Sequence, residues 1–389
     1  MSNKKHQPRF FKKQTKKHKN NNQIKTIYAR LYDIEFDIFR KVFDNSSWRL
    51  VNKAEMLKKG YVDMMLLFGW DMFDKDLWRV KSMWKSLISI PDMFNKYELH
   101  KLLQNSDFIA KTVLIDKSGE PPNLSKISKS YRDEIWIWRT DNKTGGGMDV
   151  VVVSNQEELN SVFKEFQNKK INYKLGGTRA LLSKYITNPS LWINPHNKKS
   201  YKYHLRIYLI VVADKNKIRA CVFKNNEIVL AEKPYQQGNW NNTDIHDTHF
   251  KHGFAVFPDD YSNQDIDAND VILQIFNILK TVIKKTCKSL ELFKESSVFY
   301  KIFGCDFMLE NNGKVILIEI NNMPGFKLIP IELYKGTTKY NSRKYIQEIA
   351  MTNTLEYVVN YKLNKYNGKI EDQLKNKSLN VVEILNDKL

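Results

Sequence analysis

The chain has 389 residues and 42% hydrophobic content, enough for two or three domains and a sizeable core. Its three cysteines, Cys221, Cys287 and Cys305, have no C-x-x-C spacing, which argues against a disulfide framework or a cysteine zinc site and fits a reducing compartment. The net charge is +20, no apolar run approaches the ~20 residues needed to cross a bilayer, and no signal peptide is evident; a soluble cytoplasmic protein without membrane contact is expected.

Residues 1–23 form a basic tail with eight Lys or Arg and no acid, a run expected to repel itself and stay disordered. It could contact nucleic acid, an anionic membrane or an acidic protein, or be a solvated tail outside the chemistry. With those eight removed the chain is still +12, so an acidic partner is expected. Residues 24–120 are expected to form a smaller N-terminal α/β domain. In it "IKTIYARLYD" and "YVDMMLLFGW" read as strands, and 75–115 reads as helical from apolar residues three and four apart. Pro121 and Pro122 mark a boundary, and 121–363 should be the catalytic region. There 134–140 reads as a strand, and Arg139 near its end precedes Gly145, Gly146 and Gly147. Such glycines let backbone N–H groups approach phosphate, although no G-K-[ST] follows and a mobile hairpin tip reads as well. "VVVS" is a strand, Asn155 caps a helix over 155–169, and 180–186 is strand-like.

Residues 201–214 read as a long strand with Lys202, His204, Arg206 and Tyr208 on one face and Leu205, Ile207 and Leu209 on the other. Two cations flanking a histidine suit polyphosphate, or are exposed residues of an edge strand. Residues 217–231 read as a hairpin turning at Asn225–Asn226. His246, His249 and His252 lack a carboxylate or cysteine to complete a zinc set. Residues 268–290 read as an amphipathic helix, 342–363 as another, and 364–389 as a peripheral segment.

"FGCDFMLENNGKVILIEINNMPGF" (303–326) turns at Asn312–Gly313, the pair favoured by a two-residue type I′ turn. Register from that turn sets Leu309 opposite Ile316, Phe307 opposite Ile318 and Cys305 opposite Ile320 on the core face. On the other face Met308 meets Leu317, Asp306 meets Glu319 and Gly304 meets Asn321. Two carboxylates ~5 Å apart repel by roughly 3 kcal/mol at an effective dielectric near 20. A divalent cation would remove that cost, and Asp, Glu and Asn oxygens suit magnesium bound with nucleotide phosphates. A solvated face with the carboxylates leaning apart, or a shared proton, is the other reading.

Together, 303–326 and "KYITNPSLW…KYHLRIYLIVV" resemble the F-G-x-D-F-x…W-L-I-E-V-N-x-x-P and Q-K-Y-I-x-x-P-L-L…K-F-D-L-R-x-Y-V-L-V blocks of the tubulin–tyrosine ligase-like family of ATP-grasp enzymes. A fainter likeness joins "IPDMFNKYELHKLL" to the family's R-K-x-x-L segment. The resemblance implies an α/β (α+β) ATP-grasp fold, two α+β subdomains sandwiching ATP beside the smaller N-terminal domain. It implies Asp306, Glu319 and Asn321 as ligands of Mg2+, with two ions expected, on ATP. It places Arg139 where a phosphate-binding lysine is usual, Lys184, Tyr185 and Ile186 beside adenine, and Lys202, His204 and Arg206 near ribose and the γ-phosphate. Lys224 falls where an arginine is usual, Thr248 and His249 where Thr-Asn is, and Lys96 matches a further phosphate-facing lysine. The implied activity is ligation of an amino acid (Tyr, Glu or Gly) to an acidic protein such as a tubulin tail through an acyl phosphate, with Arg206, Lys224 and Arg139 stabilising the transferring group. Another acceptor, or a non-catalytic remnant binding an acidic partner or nucleic acid, are the competing readings; His204 and His249, both departures from the family pattern, favour the remnant.

Overall fold

The computed structural model describes residues 25–29, 48–66, 75–85, 90–141, 150–169, 177–194, 197–214, 217–224, 226–240, 242–246, 248, 254–257, 261, 265–286, 298–322, 370–375 and 381–388. The basic tail and the helix expected at 342–363 lie outside these residues. The first described elements are β1 (Lys25–Ala29), β2 (Trp48–Leu50), α1 (Lys53–Lys59), β3 (Tyr61–Leu66), α2 (Lys75–Arg79), β4 (Lys81–Lys85), α3 (Pro91–Phe94), α4 (Lys96–Leu103) and β5 (Thr112–Asp116). There follow α5 (Leu124–Ile127), β6 (Trp136–Thr140), β7 (Val151–Val153), α6 (Gln156–Asn168), β8 (Arg179–Lys184), β9 (Leu191–Ile193), β10 (Ser200–Asp214), β11 (Lys217–Phe223) and β12 (Asn226–Leu230). The remainder are α7 (Thr243–His246), β13 (Phe254–Phe257), α8 (Ala268–Thr286), β14 (Val298–Leu309), β15 (Val315–Asn321), α9 (Ile370–Lys375) and β16 (Val381–Lys388).

Two sheets result. The larger runs β13-β12-β10-β14-β4-β3-β1-β2, with β15 on β14, β9 and β11 on β10, and β16 on β11. The smaller runs β5-β8-β6-β7 and is antiparallel throughout. Strands β1 to β4 pair in parallel and join the large sheet through a parallel β4–β14 contact, so the N-terminal strands share one sheet with β10 and β14. Within 75–115 the expected helix is broken by β4 and β5; the short α2 precedes β4, and the short α3 and α4 lie between β4 and β5. A five-residue strand such as "KSMWK" is too short for periodicity to separate it from helix, and pairing with β3 decides it.

Alternation in β10 works as expected, but the strand is central and buried on both faces. Leu205, Ile207, Leu209 and Val211 pack in one core with Phe303, Cys305 and Phe307 of β14 and Val271, Ile275, Leu279 and Val282 of α8. The small sheet buries Trp136 and Trp138 against Leu159, Phe163 and Phe166 of α6. Trp138 meets Phe166 edge-on at 5.4 Å. Asn155 caps α6 as expected, accepting from the Glu158 N–H at 2.9 Å.

Two expectations are corrected. Residues 217–231 are not a hairpin: β11 pairs with β10 at Leu209–Asp214 and β12 pairs with β10 at Tyr203–Arg206, so the two strands follow one another along one edge of β10. The Asn226 amide bridges the break, accepting from the Tyr208 N–H at 3.0 Å and donating to the Phe223 carbonyl at 2.6 Å. The expected peripheral segment contains β16, which pairs along β11 and buries Val382, Ile384 and Leu385. Arg219 of β11, 1% exposed, donates from Nε to Glu383 Oε2 of β16 at 2.6 Å. Removing one partner strands a buried charge. Arg219→Met should therefore cost about 3–5 kcal/mol, seen as a lower urea midpoint, and Arg219→Met with Glu383→Leu should recover most of it.

Candidate active site

The β14–β15 hairpin closes with a three-residue loop. The Gly313 N–H bonds the Glu310 carbonyl at 2.9 Å and the Glu310 N–H bonds the Lys314 carbonyl at 2.9 Å. Gly313 alone carries positive φ there, at +83°, and an added Cβ would meet Ile266 Cγ2 at 3.2 Å. The turn is thus not the type I′ expected, and register starts one residue off: Leu309 faces Val315, Met308 faces Ile316 and Phe307 faces Leu317. A bulge at Ile318 then restores Asp306 opposite Glu319, Cys305 opposite Ile320 and Gly304 opposite Asn321. The bulge lets Leu317 and Ile320, three apart, both reach the core, and it frees the Ile318 carbonyl.

Strand order then sets one charged row across four strands. Glu227 of β12 faces Arg206 of β10, Arg206 faces Asp306 of β14, and Asp306 faces Glu319 of β15. The Arg206 guanidinium grips Asp306 with two bonds, one from Nε to Oδ1 and one from Nη2 to Oδ2 at 2.8 Å. His204 Nε2 lies 3.7 Å from Asp306 Oδ1, and its Nδ1 lies 2.6 Å from Thr248 Oγ1. The Tyr208 hydroxyl donates to Glu227 at 2.6 Å. Asn321 Nδ2 donates to Asp306 Oδ2 at 3.1 Å and to Glu319 Oε1 at 3.0 Å, tying the facing carboxylates together. Lys96 of α4 holds Glu319 Oε2 at 3.0 Å. Burial alone would raise the Glu319 carboxyl; the charge and hydrogen bond of Lys96, the Asn321 amide and Arg139 outweigh it and hold it well below the usual carboxylate range. The repulsion read from the register is therefore met by the chain's own groups, Arg206 for Asp306 and Lys96 for Glu319.

Arg139 arrives from the small sheet. It donates from Nη1 to the Ile318 carbonyl at 3.4 Å and from Nη2 to Ser183 Oγ at 3.2 Å, and its buried Nε–H has no hydrogen-bond partner. Further along β10, Lys202 is buried and donates to the Tyr185 hydroxyl. Burial pushes the Lys202 ammonium down to about 7. Tyr185 lies 2.6 Å from His246 Nδ1, and His246 Nε2 donates to the Asn239 carbonyl at 2.8 Å. Trp240 stacks on His246 with ring centroids 5.6 Å apart. His246 thus serves this aromatic pocket. Lys184 ends β8 and pairs with Glu134 at 2.8 Å, with half-buried Ile186 just beyond. Lys224 donates to the Gln373 carbonyl of α9 at 2.7 Å. Gly145, Gly146, Gly147, His249 and His252 lie outside the described residues. Tyr208 was expected on the face of Arg206, whereas Glu227, His100 and Ser183 were not singled out in the sequence. The four-residue spacing of Lys96 and His100 on one helical face was the available signal for His100.

The chemistry of the donor set suits a magnesium nucleotide. Two carboxylates and one amide converge, all hard oxygen ligands, and a half-turn of the Asn321 amide presents Oδ1 in place of Nδ2. Among the described residues no three His, Cys, Asp or Glu gather. The unsatisfied Arg139 Nε–H and the buried cations Lys202 and Arg206 suit an anionic ligand. The residues fit the group.

A sequence profile of the tubulin-tyrosine ligase family matches residues 79–252 and 255–328, spanning β4 through β15 and every residue of this row. The chain belongs to the tubulin-tyrosine ligase family. Its mixed α+β architecture is that of the family's ATP-grasp fold. It is also 24% identical over 238 residues to a Saccharomyces cerevisiae protein named probable tubulin–tyrosine ligase PBY1, covering 56% of this chain and 29% of that one. The chain thus spans less than a third of that relative's length. Among the described residues no helix is long and apolar enough to cross a membrane.

Burial of Lys202 has a pH signature. Its folded value, about 7, lies below its ordinary 10.5, so between the two the unfolded chain binds more protons and stability from this group rises with pH. Lys202→Met should gain most over the wild type below pH ~7 and lose that advantage as pH climbs toward ~10. Urea titrations of both proteins from pH 6 to 10 check the sign.

Proposed function

We propose that the chain is an ATP-dependent carboxylate–amine ligase that joins an amino acid to an acidic protein acceptor. One observation carries the reading. Asp306 and Glu319 stand side by side across one ladder, joined by Asn321, bracketed by Arg206 and Lys96, with Arg139 of the other sheet bonding the Ile318 carbonyl next to Glu319. Membership in the tubulin-tyrosine ligase family supports ATP-dependent ligase chemistry on a protein. Bound MgATP would supply the phosphoryl group that turns a carboxylate into an acyl phosphate, which an amine then converts to an amide with release of phosphate.

The chain's residues perform the rest. Asp306, Glu319 and Asn321 would hold Mg2+. Arg206 and Arg139 stabilise the charge of the transferring phosphoryl group, in a setting where few competing waters weaken them. Lys184, Tyr185 and Ile186 would border the base, with His246 against Tyr185, and Lys202, bonded to the Tyr185 hydroxyl, would lie near the ribose. His204, fixed by Thr248, stands between Lys202 and Arg206. Lys224, held by the Gln373 carbonyl, would complete the phosphate-binding cations. The excess of basic residues suits an acidic acceptor such as a tubulin tail, receiving Tyr, Glu or Gly.

The decisive comparison is wild type against Asp306→Asn and Glu319→Gln, by calorimetry with Mg-ATP and by incorporation of labelled amino acid into tubulin and into whole lysate. Each variant should lose on the order of 10²–10³-fold in turnover. Unchanged turnover in both would reject the site. Labelling of lysate but not tubulin would redirect the acceptor.

A further inference from the structure

Helix α4 meets the site at two points. Lys96 and His100 lie four residues apart and so share one helical face. Lys96 reaches Glu319 on the large sheet, and His100 Nε2 lies 3.4 Å from Arg139 Nη2 on the small one. His100 is 2% exposed, too deep to be an incidental neighbour.

Two contacts bear on its tautomer. Thr112 Oγ1 donates to the Ala110 carbonyl at 2.7 Å, so toward His100 Nδ1, 3.1 Å away, it accepts. That bond favours a proton on Nδ1 and an Nε2 lone pair toward Arg139, whereas the Ile318 carbonyl, also an acceptor for the ring, favours an N–H on its own side. Burial first, and the Arg139 charge second, push the imidazole down to about 3, so it stays neutral. The same Thr112 oxygen lies 2.9 Å from Ser183 Oγ, which takes the other Nη2 proton of Arg139 at 3.2 Å. With Nη1 on the Ile318 carbonyl, three of the five guanidinium donors are spent on neutral acceptors. Nε–H and one Nη1–H remain.

We propose that His100 is a positioning residue: as a neutral acceptor it fixes the Arg139 guanidinium, leaving the two unspent N–H donors for a phosphate group. A flexible lysine at 139 would not need this support, because an ammonium has no fork to orient. The role of the donors rests on the nucleotide reading above, whereas the His100–Arg139 bond does not, and the test separates them.

The test uses His100→Leu, His100→Gln, Arg139→Lys and the double variant His100→Leu with Arg139→Lys. Mg-ATP affinity is read by calorimetry, and the His100 tautomer in the nucleotide-free wild type by nitrogen-15 NMR. His100→Leu should weaken Mg-ATP binding roughly 10-fold or more, the usual range for a hydrogen bond to a charged group. His100→Gln, which can offer a carbonyl oxygen, should restore most of it. In the Arg139→Lys background the Leu substitution should change affinity less than about 2-fold. NMR should show a neutral ring protonated on Nδ1, with an Nε2 resonance that moves in Arg139→Lys. An equal loss in both backgrounds overturns the proposal, as does an Nε2–H tautomer, which cannot accept from Arg139. Should His100→Leu fail to fold, the Gln variant and the wild-type spectrum still decide. If the wild type binds no Mg-ATP, the nucleotide reading and the donors' proposed task fail together, while a wild-type spectrum with Nδ1–H would show that the bond itself stands.

Discussion

Burying Asp306 beside Glu319 is the constraint around which the rest of the site is arranged. Facing carboxylates in an antiparallel pair repel, and burial adds a desolvation cost to each. The large sheet answers the first with Arg206, whose planar fork matches the Asp306 carboxylate, and α4 answers the second with Lys96. Asn321 then spends both amide protons on the pair. Each anion has a cation, and one amide bonds both.

The bulge at Ile318 is a second consequence of the same hairpin. A three-residue loop shifts the ladder by one residue, and an uncorrected shift would send Glu319 to the core face and Ile320 to the site. One extra residue reverses this. It also turns a carbonyl outward, where the Arg139 guanidinium takes it. A local defect in pairing thereby becomes the contact that joins the two sheets. On the other side of β10, the passage from β11 to β12 plays a similar part: the Asn226 amide accepts from the Tyr208 N–H, and Lys224 bonds the Gln373 carbonyl of α9.

Helix α4 gives these parts a common frame. It is only eight residues long, yet its side chains contact Glu319, Arg139 and Arg179, the last through a Glu98 salt bridge and the face of Tyr97 at 4.5 Å. Arg179 also bonds Asp141, just before residues 142–149. The helix is thus one polar bridge between the sheets, alongside the Arg139 bond to the Ile318 carbonyl and the Lys202 bond to the Tyr185 hydroxyl.

Much was legible in the residues alone. Period-two alternation in 201–214 placed Lys202, His204 and Arg206 on one face, since it depends only on neighbours along the chain. Asp306 does face Glu319 as the Asn312–Gly313 signal implies, but only because the bulge at Ile318 cancels the one-residue shift of a different turn. The motif blocks carried the family. What the tertiary structure decided was which charges answer which. Arg206 and Asp306 are 100 residues apart, and His100 and Arg139 are 39 apart, so their pairing depends on strand order and on which sheet each enters. The turn type, the bulge and the split edge of β10 were hidden because they involve contacts with partners distant in the chain, such as Ile266 for Gly313 and Tyr208 for Asn226. The C-terminal strand read as peripheral because its polar residues, Glu383 above all, find their partners only across the sheet.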